Sequence, residues 1–238
     1  MLIRTEGIVL KNQRFAEADL IVTFLTPDRG IISAFAKSPR RMRSRFGSSL
    51  EPLTHVMVSF MGKEYSMPRI TQSDIINPFT NLREDYQDFV NISRLIRLIL
   101  SLVPNGIPNK GLYNLFHVIL ILLSTTPKET RRTLHLVFII RLLAMIGYAP
   151  RLNKCGRCGD SGYSFYPDSG TILCDRCIDN KHVETRAIKV SKDVINFYTH
   201  SIEWPLRKLP RLKPSEEMVS NLSALIERHI AYNLGIKI

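Results

Sequence analysis

The chain has 238 residues, 45% of them hydrophobic, and its 33 lysines and arginines outnumber 21 acids for a net charge of +12. That apolar share suits a globular protein with a real core, and the longest unbroken apolar run, residues 118–123, falls well short of the roughly 18 residues a membrane span needs. Arg4 and Glu6 interrupt the apolar residues at the N-terminus, which does not read as a signal peptide; a soluble cytoplasmic protein with no membrane partner is expected.

The charge is spread along the chain. Residues 1–80 carry eleven cations and seven acids, residues 81–150 eight and four, and residues 151–189 and 190–238 seven and five each. Such a surface attracts polyanions. A merely basic soluble protein is the plain alternative.

In chain order, the first 80 residues read as strands. Residues 3–11 alternate, and residues 19–26 put Leu20, Val22 and Phe24 on one face with Ile21, Thr23 and Leu25 on the other. Asp28-Arg29-Gly30 is a turn signal before a strand at 31–36, and residues 53–61 and 64–70 make two more. Five short strands suggest a small closed barrel, and the OB-fold is the commonest five-stranded candidate.

After Pro78 the spacing becomes helical. Leu82, Tyr86, Phe89, Ile92, Leu95, Ile96 and Ile99 predict one helix over 81–103, with Asn81 and Glu84 as a capping-box-like pair. Pro104, Gly106 and Pro108 end it. A second helix over 111–124 is apolar nearly all round, which predicts burial. A third spans 130–146 and stops at Gly147, with Pro150 just beyond. Helices over 190–200 and 215–233 follow, the latter with Glu216 and Glu217 in the first turn, where the helix dipole favours acids.

The four cysteines fall in Cys155-Gly156-Arg157-Cys158 and Cys174-Asp175-Arg176-Cys177. This C-x2-C-x15-C-x2-C spacing is that of a zinc ribbon or finger. Gly156 and Gly159 help the tight turn. Four thiolates fill a tetrahedral shell and leave no position for water, so the reading is one structural Zn2+ ion. Two disulfides would need an oxidising compartment. Spacing alone does not exclude an iron–sulfur cluster, but the hairpin-like segment between the pairs suits a ribbon. His182 follows Cys177 by five residues and reads as a surface histidine.

Lys37, Arg40, Arg41, Arg43 and Arg45 put five cations and no acid into nine residues, followed by Phe46 and Gly47. Without them residues 1–80 would be slightly acidic, so the charge is focused on one connection between strands. Arginine forks match phosphate oxygens, and an aromatic ring can stack on a base. These six residues, Phe46 included, are the candidate DNA-binding set; a solvated loop is the alternative. Phe15 is a second candidate for stacking, although core is the ordinary reading of such a phenylalanine. Arg207, Lys208, Arg211 and Lys213 form another acid-free basic stretch, read as a linker between Pro205 and Pro214 with incidental charge.

The sequence contains no G-x-x-x-x-G-K-[ST], no H-E-x-x-H and no G-x-S-x-G. The six histidines are scattered, and His117 and His135 read as core residues of apolar helices. No catalytic residue is expected, and the chain is not expected to be an enzyme.

The stretch from Phe15 through Asp19 to Thr26, then Gly30, the basic loop, and residues 46–52 resembles the N-terminal barrel of the RecO family of bacterial recombination mediators. Residues 141–150 followed by the first cysteine pair resemble that family's junction of helical domain and zinc ribbon. The pieces occur in order from about residue 1 to 177; singly they are weak, and together they are specific. The residues and the resemblance give a multidomain α+β chain. An N-terminal five-stranded OB-fold β-barrel is expected over 1–80, an all-α domain over 81–150 and 183–238, and an inserted four-cysteine zinc ribbon at 151–182.

The resemblance implies an ATP-independent role in DNA repair and homologous recombination. Such a protein binds single- and double-stranded DNA, anneals complementary strands, and helps RecA displace the single-stranded-DNA-binding protein together with RecR. It also implies a bacterial, nucleoid-associated protein. Carried over by position, Lys37, Arg40, Arg41, Arg43 and Arg45 would contact DNA. Some family members lack the four cysteines, so the metal would not carry the shared chemistry. A protein-interaction adaptor and an RNA-binding zinc-ribbon protein stand as alternatives.

Overall fold

A computed structural model describes residues 2–15, 17–41, 44–62, 66–178 and 187–237. The chain divides into two compact units, Met1–Ser124 and Thr125–Ile238.

The first unit begins with five strands, β1 (Leu2–Arg14), β2 (Leu20–Thr26), β3 (Gly30–Ala36), β4 (His55–Met61) and β5 (Arg69–Asn77). Their order is β1-β2-β3-β5-β4, and β4 pairs back onto β1, so the sheet closes into a barrel. All ladders are antiparallel except β3–β5, a parallel contact at Phe35 and Arg69. The alternation in β2 turns Leu20, Val22 and Phe24 into the barrel core, where Val56, Val58, Phe60 and Ile70 meet them. Phe24 and Phe60 meet edge to face at 5.5 Å, a favoured aromatic geometry.

The fifth strand lies later than the expected 64–70. β5 pairs with β4 from Arg69 opposite Met61 to Asn77 opposite His55. Thr71-Gln72-Ser73-Asp74 carries no apolar alternation, so backbone pairing makes a strand where side chains give no period-2 signal.

The helix expected over 81–103 is two helices, α1 (Thr80–Glu84) and α2 (Tyr86–Leu102). Asp85 breaks them with an extended backbone, and its carboxylate accepts the Asp88 N–H at 3.0 Å. That cap satisfies an orphan donor of the first turn. The Asn81 side chain donates instead to the Ser124 carbonyl at 3.0 Å. Helix α3 (Lys110–Thr125) buries Leu112, Leu115, Phe116, Ile119 and Leu123. The unit containing the barrel thus takes in helices that the sequence pattern assigns to the helical domain. His117 is only half-buried, with its ring 4.4 Å from that of His55.

Gly30 begins β3 at φ +64°, and a Cβ there would lie 2.0 Å from the Ile107 carbonyl oxygen. The Gly106 N–H donates to the Ile31 carbonyl at 2.9 Å. A glycine is required both by the backbone angle and by the close approach.

The second unit holds α4 (Lys128–Met145), β6 (Ser164–Tyr166), β7 (Thr171–Leu173), β8 (Ile188–Lys189), α5 (Lys192–Glu203) and α6 (Glu216–Leu234). The cysteine-bearing hairpin is part of a three-stranded sheet, β7-β6-β8. Arg141 of α4 donates to the carbonyls of Ser201 and Trp204 at the C-terminal end of α5, where unpaired carbonyls and the helix dipole favour a cation. Ser215 caps α6 by accepting the Met218 N–H at 3.2 Å. The basic stretch read as a linker is a 3-10 turn, Leu206–Arg211, with Leu209 fully buried. No described helix is long and apolar enough to cross a membrane.

Candidate nucleic-acid interface and metal centre

At one end of the barrel, the β1–β2 hairpin and the β3–β4 loop come together. Ser38 sits at φ +54° and its N–H donates to the Asp19 carboxylate at 2.7 Å. Arg40 Nη1 donates to the Glu17 carbonyl at 2.9 Å, and the Arg40 N–H reaches the Ala18 carbonyl at 3.4 Å. The start of the basic loop is therefore fastened to the hairpin. A string of like charges would otherwise repel and spread.

Lys37, Arg40, Arg41 and Arg45 are exposed, and among the described residues no carboxylate pairs with any of them. Arg43 lies outside the described residues. Four exposed cations without carboxylate partners among the described residues make a surface suited to phosphate.

Phe46 does not share that surface. It is only 3% exposed and belongs to the barrel core with Leu50, Val56 and Ile70. A ring in that position has no face free for a base, and its role is packing. The aromatic residue that faces solvent is Phe15, 64% exposed. It meets Phe35 edge to face at 5.7 Å, and its N–H closes the hairpin onto the Asp19 carbonyl at 3.1 Å. The sequence signal for this was weak: a Phe between Arg14 and the turn residues, one position past the end of β1.

In the second unit the four cysteines come together. Their Sγ atoms all lie within 4.8 Å of one another, with Cys158 and Cys174 at 3.5 Å. Tetrahedral thiolates at about 2.3 Å from an ion sit roughly 3.8 Å apart, so the spacing can hold one metal ion. The turn is built from backbone bonds. The Cys155 N–H donates to the Asp160 carbonyl at 2.7 Å, and the Gly159 N–H to the Cys155 carbonyl at 3.0 Å with Gly159 at φ +80°. Gly156 is needed for space, because a Cβ there would lie 2.5 Å from the Thr171 side chain.

Backbone N–H groups, that of Cys158 foremost, hold the Cys155 thiol down at about 6. Hydrogen bonding with neighbouring thiols, Cys158 foremost, pushes Cys177 up to about 12. Backbone donors thus favour a thiolate at Cys155, and a thiolate is the form that binds metal. Around it, the local core is small: Cys155, Tyr166, Leu173 and Cys174, with Cys177 against them. Asn233 of α6 donates to the Pro167 carbonyl at 2.7 Å, and His229 Nε2 meets the Tyr148 carbonyl at 2.8 Å, so α6 holds the turn of the hairpin and the segment leading into it. His182 lies outside the described residues.

The fold and the two sites define a multidomain α+β protein with a basic barrel end and an all-thiol cluster of the kind that binds metal structurally. The chain belongs to the recombination protein O family. The family's N-terminal pattern, Recombination protein O N terminal, matches residues 1–79, and its C-terminal pattern, Recombination protein O C terminal, matches residues 83–238. The DNA repair protein RecO of Thermodesulfovibrio yellowstonii is 40% identical over 97% of this chain and 93% of that protein. The one from Acetivibrio thermocellus is 29% identical over 98% of this chain and 92% of that protein. The one from Rubrobacter xylanophilus is 34% identical over 74% and 71%. These names attach DNA repair and recombination to the family.

Proposed function

We propose that the protein is a non-enzymatic recombination mediator. In this reading it binds single- and double-stranded DNA through an OB-fold barrel and anneals complementary strands. With RecR it assists RecA in displacing the single-stranded-DNA-binding protein. The observation that carries the reading is the basic loop, whose Lys37, Arg40, Arg41 and Arg45 are exposed and free of carboxylate partners among the described residues. The barrel's strand order, β1-β2-β3-β5-β4 closed on β1, supports the OB-fold name. Arg43, between these residues in sequence, is assigned the same role.

The mechanism is charge neutralisation. Each phosphate met by a cation releases condensed counterions. Two strands screened by one basic surface then approach without their full mutual repulsion, and base pairing completes the step with no bond made or broken by the protein.

In this reading Cys155, Cys158, Cys174 and Cys177 hold one Zn2+ ion, which supplies no chemistry to the strands. Four thiolates saturate it, and it staples a hairpin whose own core is too small to fold unaided.

The test is annealing of complementary strands coated with single-stranded-DNA-binding protein, with the wild type and with Arg40, Arg41 and Arg43 replaced by Ala. The wild type accelerates annealing and the variant does not. Equal rates for both would overturn the assignment of the loop.

A further inference from the structure

We propose that Phe15, braced by Phe35, is a base-stacking residue that takes an unpaired base of single-stranded DNA. This rests on the DNA-binding reading above and adds to it a means of telling a single strand from a duplex.

Exposed apolar residues are common and one alone means little. Phe15 differs in being exposed and fixed. The residue is 64% exposed, and its ring stands at 85° to that of Phe35, 5.7 Å away. Its N–H closes onto the Asp19 carbonyl, Asp19 accepts the Ser38 N–H, and Arg40 donates to the Glu17 carbonyl. Phe15, Glu17 and Asp19 are thus each held by a hydrogen bond, which lowers the ordering a ligand must impose.

The position is also specific. Ala34 and Ala36 turn into the barrel core, so Phe35 between them is on the outer face, opposite Ile21 of β2 and Arg69 of β5. A barrel of this strand order receives a nucleic-acid strand on the outer β2–β3 face beside the β1–β2 loop, and Phe15 stands at that corner. Lys37 and Arg40 follow in the same segment, exposed and without carboxylate partners among the described residues. Cations beside a ring match a strand's alternation of phosphate and base. In a duplex the bases stack on each other and cannot reach the ring, whereas the phosphates still reach the cations. Phe46 is buried, whereas Phe15 is 64% exposed, so of the two phenylalanines that flank cations here Phe15 is the one with an open face.

The experiment measures affinity for oligo(dT) and for a duplex of equal length, using Phe15→Ala, Phe15→Leu, Phe15→Trp and Arg40→Ala/Arg41→Ala. Loss of one stacked base predicts about 5- to 150-fold weaker oligo(dT) binding for Phe15→Ala and Phe15→Leu, with duplex affinity within twofold and the salt dependence unchanged. Phe15→Trp binds within a few-fold of wild type, and its added indole fluorescence is quenched by oligo(dT). If Phe15→Ala and Phe15→Leu bind oligo(dT) as wild type does while the arginine variant weakens, DNA binding stands and the stacking role falls. If those variants weaken single strand and duplex alike, the stacking role also falls. If all variants, the arginine pair included, bind as wild type, the DNA-binding reading falls and the stacking role with it.

Discussion

The guanidinium of Arg45 lies 4.8 Å from the centre of the Phe46 ring. The last cation of the basic loop therefore rests on a ring that belongs to the barrel core, and Arg45 Nη2 also points to the Ile70 carbonyl at 3.5 Å. A cation over an aromatic face is stabilised by the ring quadrupole. The loop is tied at its start by Asp19 and Glu17 and at its end by Phe46.

Phe46→Ala should therefore act on stability first. Truncating a buried Phe costs about 3–5 kcal/mol, whereas Phe46→Leu keeps most of the volume and costs less than half as much. Urea unfolding of both variants checks this. A Phe46→Leu protein with normal stability but lost DNA affinity would return Phe46 to the interface.

Metal removal should loosen the second unit and spare the barrel. The purified chain should carry one zinc per molecule by elemental analysis, and Cys155→Ser should reduce it to near zero. A chelator should lower the melting temperature while oligo(dT) affinity changes by less than about threefold, because the thiol cluster and the basic loop belong to different units. Lost DNA binding with an unchanged melting curve would contradict a structural role.

Acid should weaken the fold through buried histidines. Burial first, and Arg131 second, pushes His135 down to about 4 from 6.5. Neither of its ring nitrogens has a hydrogen-bond partner among the described residues. The folded protein thus resists the proton that the unfolded chain accepts, so stability is full above about pH 6.5 and falls as pH drops towards 4. The slope is about 1.4 kcal/mol per unit from this one group. Between pH 7 and 5, His135→Leu should lose roughly 1.5–2 kcal/mol less than wild type in urea midpoints. At pH 7 it should be no less stable, since it removes two unsatisfied polar atoms.

Gly30 and Gly106 separate two effects of a side chain. Both have positive φ, but a Cβ at Gly30 would meet the Ile107 backbone at 2.0 Å, and one at Gly106 would meet nothing within 4 Å. Gly106→Ala should cost about 1–2 kcal/mol from backbone angle alone. Gly30→Ala adds a backbone clash worth roughly 1–3 kcal/mol more. Equal melting temperatures for the two variants would mean that the turn relaxes freely.

Much of this was legible in the sequence where side-chain period and burial agree. β2 could be read because Leu20, Val22 and Phe24 alternate and all three are buried. The cysteine spacing named the cluster, since few chemistries place four thiols in that pattern. β5 could not be read, because a polar strand is held by its ladder to β4. The split between α1 and α2 was hidden for a related reason. The apolar spacing runs through Asp85, and only the backbone there shows that its carboxylate caps a new helix. At the interface, charge was legible and aromatic roles were not. Phe15 and Phe46 both flank cations in sequence, and tertiary packing alone sends Phe46 inward and leaves Phe15 outside.

The most direct test of the central claim is the salt dependence of single-stranded DNA affinity by fluorescence anisotropy. Five loop cations on phosphates would give a log–log slope of about −3.5, from roughly −0.7 per contact. Replacing Arg40, Arg41 and Arg43 by Ala should flatten that slope by about two units. A slope that stays at the wild-type value would contradict the assignment of DNA binding to this loop.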